Sequence, residues 1–176
     1  ARQLSADVIE EFDYPANDPQ AFRNHYILEL DRPGVGRIKT LGFPIFMKPA
    51  YGGGWKDVYK VDNEAEFFAA YDRTHSLCMM AQEAIEFTEY YRCYGIGRER
   101  VRIMRYDPRA AFERRYVRDA RPGDPALMAR VERDALALCR ALGYDMNTIE
   151  LAVRDGVPYA IDFMNPAPDF DINSLT

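Results

Sequence analysis

The sequence predicts an α+β fold with largely antiparallel sheets and packed helices. Three observations support this prediction: a strand–helix–strand segment in the first half, two later hairpins with glycine in their turns, and one long amphipathic helix between those hairpins. The chain has 176 residues, of which 48% are hydrophobic. That size fits one medium domain, or a domain with a small lobe.

Residues 1–42 form a short N-terminal segment to which the sequence assigns no role. Asp18-Pro19 predicts the start of a helix that runs to Leu30, and a second helix is expected from Pro33 to Leu41, ending at Gly42.

The next forty residues predict two strands, a helix and a third strand. Asp62 or Asn63 caps the helix, and acidic residues occupy its first turn, as the helix dipole favours. The predicted elements are a strand over Phe43–Pro49, a glycine loop over 50–57, a strand over Val58–Val61, a helix to about Asp72, and a central strand over Ser76–Glu83.

A hairpin and a long helix follow. Tyr90–Ile96 and Arg100–Tyr106 are predicted strands around Gly97-Arg98, and an arginine-rich connection comes next. Apolar residues recur at helical spacing from Pro125 to Leu142, and Gly143 predicts the end of that helix.

The last element is a hairpin around Asp155-Gly156, for which the hydrophobic pattern favours a three-residue loop. That register pairs Val153 with Val157, Leu151 with Tyr159 and Ile149 with Ile161, and places all six on one buried face. The opposite face then carries Glu150 and Asp162 as diagonal neighbours, with Asn165 just beyond the strand.

Two carboxylates and an amide oxygen are the hard donors that Mg²⁺ accepts while it keeps waters and substrate phosphates. The alternative is that Glu150 and Asp162 form the solvent face of an amphipathic hairpin. Small neighbours on that face, Ala152, Pro158 and Ala160, indicate a covered surface instead, where two like charges need a cation.

The loop after the first predicted strand is the second candidate site. Gly52, Gly53 and Gly54 permit close backbone approach and leave N–H groups for a phosphate, and Lys48 supplies a positive charge nearby. A plain flexible turn is the alternative, because the loop is neither a P-loop nor a dinucleotide fingerprint.

Other polar residues have functional and structural interpretations. Gln82 to Ile85, including Glu83, follow the central strand and either bind a flat heterocycle or simply enter a turn. Arg92 lies in a tyrosine-rich run and is either partnered or stacked on a tyrosine at an edge. The arginines near Arg115 form a solvated face or an anion-binding wall.

Composition excludes several classes of protein. The net charge of −5 and a pI near 5.1 argue against a nucleic-acid partner. Neither a long apolar run nor a signal peptide is present, so no membrane association is expected. Three widely spaced cysteines predict reduced, buried thiols and a cytoplasmic location.

These motifs, taken in their order from about residue 43 to 170, resemble the ATP-grasp family, specifically its carboxylate–amine ligases such as glutathione synthetase and ribosomal-protein glutamate ligases. The resemblance implies an ATP- and Mg²⁺-dependent ligase, for which Mn²⁺ can substitute, that joins a carboxylate to an amine or thiol through an acyl-phosphate. It implies a glycine-loop lobe over 43–85 and a metal-binding lobe over 86–176.

The resemblance also implies roles for individual residues. Lys48 would contact the ATP phosphates under a lid of Gly52–Gly54, and Gln82, Glu83 and Ile85 would line the adenine pocket. Glu89 would bind the ribose hydroxyls, and Arg92, with Arg115 as a second catalytic candidate, would stabilise the transferring phosphoryl group. Glu150, Asp162 and Asn165 would hold the metal.

Two departures from the family pattern qualify these implications. Two residues rather than one separate Asp162 from Asn165, so a bulge or turn has to return Asn165 to the metal. The 42 residues before the glycine-loop lobe are too few for the family's larger N-terminal substrate domain, so we expect that domain to be missing or truncated. The alternative function is therefore a non-catalytic ATP-binding module that needs a homo-oligomer or a partner chain to supply that domain. In either case the substrate is a small-molecule or peptide carboxylate.

Overall fold

The computed structural model describes residues 28–29, 42–74, 77–118 and 123–168. The chain divides into two compact units, Ala1–Ala84 and Ile85–Thr176. Each unit contains a four-stranded sheet in which all neighbouring strands are antiparallel, so the predicted α+β class with antiparallel sheets is confirmed.

The sheet of the first unit has the strand order β1-β4-β2-β3. Its elements are β1 (Leu28–Glu29), β2 (Ile45–Pro49), β3 (Tyr59–Val61), helix α1 (Glu64–Tyr71) and β4 (Met79–Glu83). Asn63 caps α1 by accepting from the Glu66 N–H, and the Glu66 carboxylate in turn accepts from the Asp62 N–H. Helix α1 packs Phe67 and Ala70 onto one face of the sheet.

The N-terminal prediction is wrong where the structure describes it. Leu28 and Glu29 lie in a strand paired with Ala81 and Met80 of β4, not in a helix. Pairing with β4 satisfies their backbone groups, and such tertiary context overrides local helix signals. The remaining residues of that predicted helix, and the one predicted over Pro33–Leu41, lie outside the described residues.

The sheet of the second unit has the order β6-β5-β7-β8. Its strands are β5 (Glu89–Ile96), β6 (Arg100–Arg105), β7 (Met146–Arg154) and β8 (Val157–Asp162), and helix α2 (Pro125–Leu142) precedes β7. The predicted bounds of α2 are confirmed. Asp124 accepts from the Leu127 N–H at its start, Pro125 occupies the first turn, and Gly143 ends it with a φ of 71°.

The two faces of this second sheet differ in character. One face packs against α2 through a core that includes Cys93, Leu138, Ile149 and Leu151. Because side chains alternate along each strand, the intervening residues occupy the opposite face. We call this the site face and define it by Tyr90, Arg92, Tyr94, Thr148, Glu150 and Asp162.

The predicted register of the last hairpin is wrong. Arg154 pairs with Val157, so the loop has two residues, and Asp155 (φ 54°) and Gly156 (φ 75°) both adopt the positive φ that a type I′ turn requires. Ala160 therefore faces the α2 core opposite Leu151, whereas Tyr159 pairs with Ala152 on the site face.

A bulge then changes the register further along the same hairpin. Leu151 pairs with Ala160 and Glu150 with Asp162, so Ile161 is an extra residue on β8. In a regular strand without this bulge, Asp162 would lie on the same face as Ala160, which is the α2 side of the sheet. The two acids are consequently direct cross-strand partners, not the diagonal neighbours that the sequence predicted.

Among the described residues, no helix is long and apolar enough to cross a membrane. The cysteines form no disulfide within the described residues. Cys93 and Cys139 are buried as predicted, whereas Cys78 is partly exposed, so the prediction of buried thiols is wrong for Cys78.

Candidate functional site

Glu150 lies at the centre of the site face, on a strand with a partner on each side. It is in register with Arg92 of β5 and with Asp162 of β8. Nη1 of Arg92 lies 3.3 Å from Oε1 of Glu150, and the Tyr90 hydroxyl donates to Oε2 at 2.6 Å. Each carboxylate oxygen of Glu150 thus has its own donor from β5.

Asp162 places a second carboxylate beside the first. Among the described residues, no cation forms an ion pair with Asp162. Like charges directly opposite each other on neighbouring strands are destabilising, and a cation between them reduces the repulsion.

Asn165 is returned to the site face by two polar side chains of β7. The Asn147 side chain donates to the Phe163 carbonyl (2.8 Å) and accepts from the Asn165 N–H (3.0 Å), while Phe163 is buried in the α2 core. The Asn165 amide nitrogen then donates to Oγ1 of Thr148 at 2.6 Å. Thr148 is two residues from Glu150 on the same face, so the segment supplies the turn that the long spacing requires.

Aromatic rings fix the Arg92 side chain. Its guanidinium carbon lies 5.9 Å from the centroid of Tyr94 and 5.5 Å from that of Tyr106, and the hydroxyls of Tyr94 and Tyr116 are 3.0 Å apart. Among the described residues, Nε of Arg92 is buried and has no hydrogen-bond partner. Burial lowers the pKa of Arg92, but the charge of Glu150 and the surrounding tyrosines raise it more, so the group stays cationic.

The Tyr90 hydroxyl is a protonated donor at neutral pH. Burial, followed by the negative charge of Glu150, raises its pKa well above the ordinary value. The side chain is only 4% exposed, and its ring packs against Phe87 with the centroids 5.0 Å apart.

Two predicted site residues lie elsewhere. Glu89 is on the α2 side of β5, where it accepts from Tyr91 and Arg105. The sheet therefore does not bring Glu89 to the face that carries Arg92 and Glu150. Arg115 lies in the connection between β6 and α2, where its Nε donates to the Ala110 carbonyl at 3.2 Å.

In the first unit, the register places Lys48 and Gln82 on the same face, opposite the α1 core. Lys48 pairs with Met80 and Phe46 with Gln82, and Gln82 is only 3% exposed. Glu83 pairs with Ile45 and so belongs to the other face. Ile85 is buried at the start of the second unit.

The glycine loop begins directly after Lys48-Pro49. Trp55 packs edge-on against Phe46, with ring centroids 6.4 Å apart, on the face that carries Lys48. A Cβ on Gly53 or Gly54 would meet nothing within 4 Å, so packing inside the chain does not explain glycine at these positions, although Gly54 also has a φ of 66°.

The chemistry of the donor set fits a magnesium ion. No group of three His, Cys, Asp or Glu side chains able to hold a metal occurs among the described residues. The candidate set instead comprises two carboxylates and one amide oxygen, which suits Mg²⁺ because that ion retains waters and phosphate oxygens in its shell. The Asn165 oxygen has no hydrogen-bond partner among the described residues.

Sequence reasoning missed three polar residues that build this arrangement: Tyr90, Asn147 and Thr148. Tyr90 carried a signal, because it is two positions from Arg92 and therefore shares its face in any strand. The sequence gives no such signal for Asn147 and Thr148, because their role depends on the course of the chain after Asp162.

No family model matches the sequence. Among curated proteins, the chain is 29% identical to human mitochondrial pyruvate carboxylase over 139 residues, which cover 70% of this chain and 12% of that protein. Mouse pyruvate carboxylase matches over the same length at 28% identity. The chain thus spans about an eighth of the curated relatives it matches.

Solved structures show the fold. D-alanine–D-alanine ligase from Bacillus anthracis in complex with ATP superposes with a TM-score of 0.67 at 18% identity, over 91% of this chain and 51% of that one. Biotin carboxylase from Campylobacter jejuni, in complex with a β,γ-ATP compound, superposes with a TM-score of 0.65 at 19% identity, over 88% of this chain and 40% of that one. Both are ATP-grasp enzymes, and this chain spans about half of their length or less. The chain therefore has the ATP-grasp fold that its sequence motifs indicated.

Proposed function

We propose that this chain binds MgATP and supplies the phosphoryl-transfer machinery of an ATP-dependent ligase that activates a carboxylate. The observation that carries the proposal is the register of Arg92, Glu150 and Asp162 across three adjacent strands. The structural similarity to a D-alanine–D-alanine ligase bound to ATP supports the same conclusion. The cysteines, none of which forms a disulfide within the described residues, favour a cytoplasmic location.

In the second unit, Glu150, Asp162 and Asn165 would hold Mg²⁺. When bound, that ion would neutralise charge on the phosphates of ATP. Arg92 is fixed between two tyrosine rings, and its buried Nε–H has no hydrogen-bond partner among the described residues. Such a donor is costly to leave unsatisfied, and an anionic phosphoryl oxygen would satisfy it.

In the first unit, Lys48 and the backbone N–H groups of Gly52–Gly54 would bind phosphate. The open surroundings of Gly53 support this role, because packing inside the chain does not explain its missing side chain; at Gly54 the positive φ already favours glycine. Gln82, on the same face as Lys48, would contact the adenine together with the backbone of Glu83.

The reaction that these groups support is phosphoryl transfer followed by acyl transfer. A carboxylate oxygen of the substrate attacks the γ-phosphorus, and ADP leaves with the electrons of the broken P–O bond. An amine or thiol then attacks the acyl carbon, and inorganic phosphate leaves. The protein contributes positioning and positive charge rather than a covalent nucleophile.

A second candidate function is a nucleotide-binding part of a larger ligase. It is favoured by the length of the chain, which covers 51% of the ATP-bound ligase and 12% of human pyruvate carboxylase. In that case the carboxylate-binding surface belongs to a partner chain or to further sequence.

Binding is tested first, by titrating Mn²⁺ in the presence of a non-hydrolysable ATP analogue and recording the electron paramagnetic resonance signal of free Mn²⁺. We expect Asp162→Asn to weaken Mn²⁺ binding at least tenfold, as removal of a charged ligand should. The matched control is Asp155→Asn in the turn of the same hairpin, where asparagine suits the positive φ. Equal affinities in wild type and Asp162→Asn would refute the metal site.

Turnover is tested by ADP release across a panel of carboxylates and amines. Release that depends on both substrates and is lost in Asp162→Asn supports the ligase. MgATP binding without release under any combination supports the binding module, and absence of MgATP binding refutes both.

A further inference from the structure

Tyr90 forms a short hydrogen bond with the proposed metal ligand Glu150. Its hydroxyl lies 2.6 Å from Oε2, whereas Nη1 of Arg92 lies 3.3 Å from Oε1. The Tyr90 ring is buried between Phe87 and Tyr106, at centroid distances of 5.0 and 6.0 Å. The donor therefore comes from a rigid support and not from a flexible surface side chain.

A glutamate side chain can rotate about three bonds, so a glutamate that serves as a ligand needs a contact that fixes its carboxylate plane. A carboxylate oxygen has two lone-pair sites, and a hydrogen bond from Tyr90 occupies one of them on Oε2. A metal held by Glu150 would then bind along a different lone-pair direction of the same carboxylate. Hydrogen bonds of this kind orient metal ligands in many proteins.

We propose that Tyr90 is a positioning residue that orients the Glu150 carboxylate for divalent-cation binding. The inference rests on the proposed function, since it takes Glu150 as a metal ligand. The inference goes beyond the proposed function because it assigns a role to a residue that touches neither the metal nor a substrate.

The adjacent residue provides an internal control. Tyr91 is also buried and also donates to a carboxylate that an arginine contacts, but its acceptor is Glu89, on the α2 side of the sheet. Deleting either hydroxyl removes the same chemical group from neighbouring positions of one strand. Only the loss of the Tyr90 hydroxyl removes a hydrogen bond from Glu150, the acid on the site face.

The test compares Tyr90→Phe and Tyr91→Phe by Mn²⁺ titration with a non-hydrolysable ATP analogue, using the same resonance signal as above. We expect Tyr90→Phe to weaken Mn²⁺ binding by about 10–100-fold, and Tyr91→Phe to leave it within about twofold of wild type. Thermal melts of both variants report the structural cost of each hydroxyl, which we expect to be similar. Equal Mn²⁺ affinities in the two variants would overturn the proposal.

A second variant covers the case in which Tyr90→Phe does not fold. Glu150→Asp keeps the charge but withdraws the carboxylate from the Tyr90 hydroxyl by one methylene. If orientation matters, Mn²⁺ binding falls; if it stays at the wild-type level, the positioning role is excluded. Wild-type protein that binds no Mn²⁺ with nucleotide refutes the proposed function itself, whereas binding that ignores Tyr90 refutes only this inference.

Discussion

The Arg92–Glu150 pair should contribute measurably to the stability of the second unit. Arg92→Met keeps most of the side-chain length but removes the charge that pairs with Glu150, which lies beside Asp162. Breaking a fully buried pair costs about 3–5 kcal/mol. Here the two side chains remain 20% and 16% exposed, and the contact is 3.3 Å long. We therefore expect the loss of the Arg92–Glu150 ion pair to cost about 1–2 kcal/mol.

The two tyrosine rings add to the expected cost. Cation–π contacts contribute about 0.5–1 kcal/mol each when partly exposed, and Arg92 makes two of them, with Tyr94 and Tyr106. The total expected loss in the free energy of unfolding is about 2–4 kcal/mol. Because methionine retains the aliphatic contacts, little of this loss comes from a cavity.

Urea denaturation followed by far-ultraviolet circular dichroism measures the loss, since the 18 residues of α2 lie in the same unit. The matched control is Arg102→Met, an exposed arginine of the same face on β6, which should change stability by less than about 0.5 kcal/mol. A double-mutant cycle with Glu150→Gln should give a coupling of about 1–2 kcal/mol. A coupling near zero, or equal losses for the two arginine variants, would refute the reasoning.

Three further predictions concern other parts of the second unit. Arg92→Met should bind Mn²⁺ several-fold more tightly than wild type without nucleotide, because the competing cation is gone; weaker binding in the same resonance titration would contradict this. Gly95→Ala should destabilise by about 1–3 kcal/mol, because its Cβ would clash with Sγ of Cys139. Adding Cys139→Ala should recover part of that loss in urea, and strict additivity would exclude the clash. Burial, followed by Glu89, raises the pKa of Tyr91 to about 12 from 10.0, so the unfolded chain ionises first and stability should fall between pH 10 and 12. Tyr91→Phe should flatten that fall in melts recorded across the range, and an unchanged slope would contradict the assignment.

The elements that the sequence predicted well are those with local signals. Helix α2 has a cap at Asp124, proline in its first turn and glycine after its end, so its bounds were readable without tertiary information. The prediction that Arg92 is partnered or stacked rested on its aromatic neighbours, and the structure shows both an ion pair and two ring contacts.

The hairpin register was not readable from hydrophobicity, because both faces of β7 and β8 are covered. Ala152 is 0% exposed and Tyr159 only 8% on the site face, so apolar residues do not identify one inner side. The Asp155-Gly156 turn decided the pairing near the loop, and the bulge at Ile161 decided it near the acids. A bulge depends on the balance of pairing on both sides of a strand, which no local pattern encodes.

The N-terminal strand illustrates a different limit. Leu28 and Glu29 pair with residues more than fifty positions away in β4. Such contacts are invisible to a reading of neighbouring residues, and the helix signals at Asp18-Pro19 gave no indication of them.

The two backbone hydrogen bonds of the Asn147 side chain have a consequence for how related sequences are recognised. The Asn147 side chain binds the backbone at both Phe163 and Asn165. The position of Asn165 is therefore set by these hydrogen bonds to β7 and not by its separation in sequence from Asp162. A residue can be gained between acid and amide without displacing either, provided the attachment persists. A search pattern that counts residues from the acid would reject this chain, whereas one that pairs the amide with an asparagine at the start of the preceding strand would accept it.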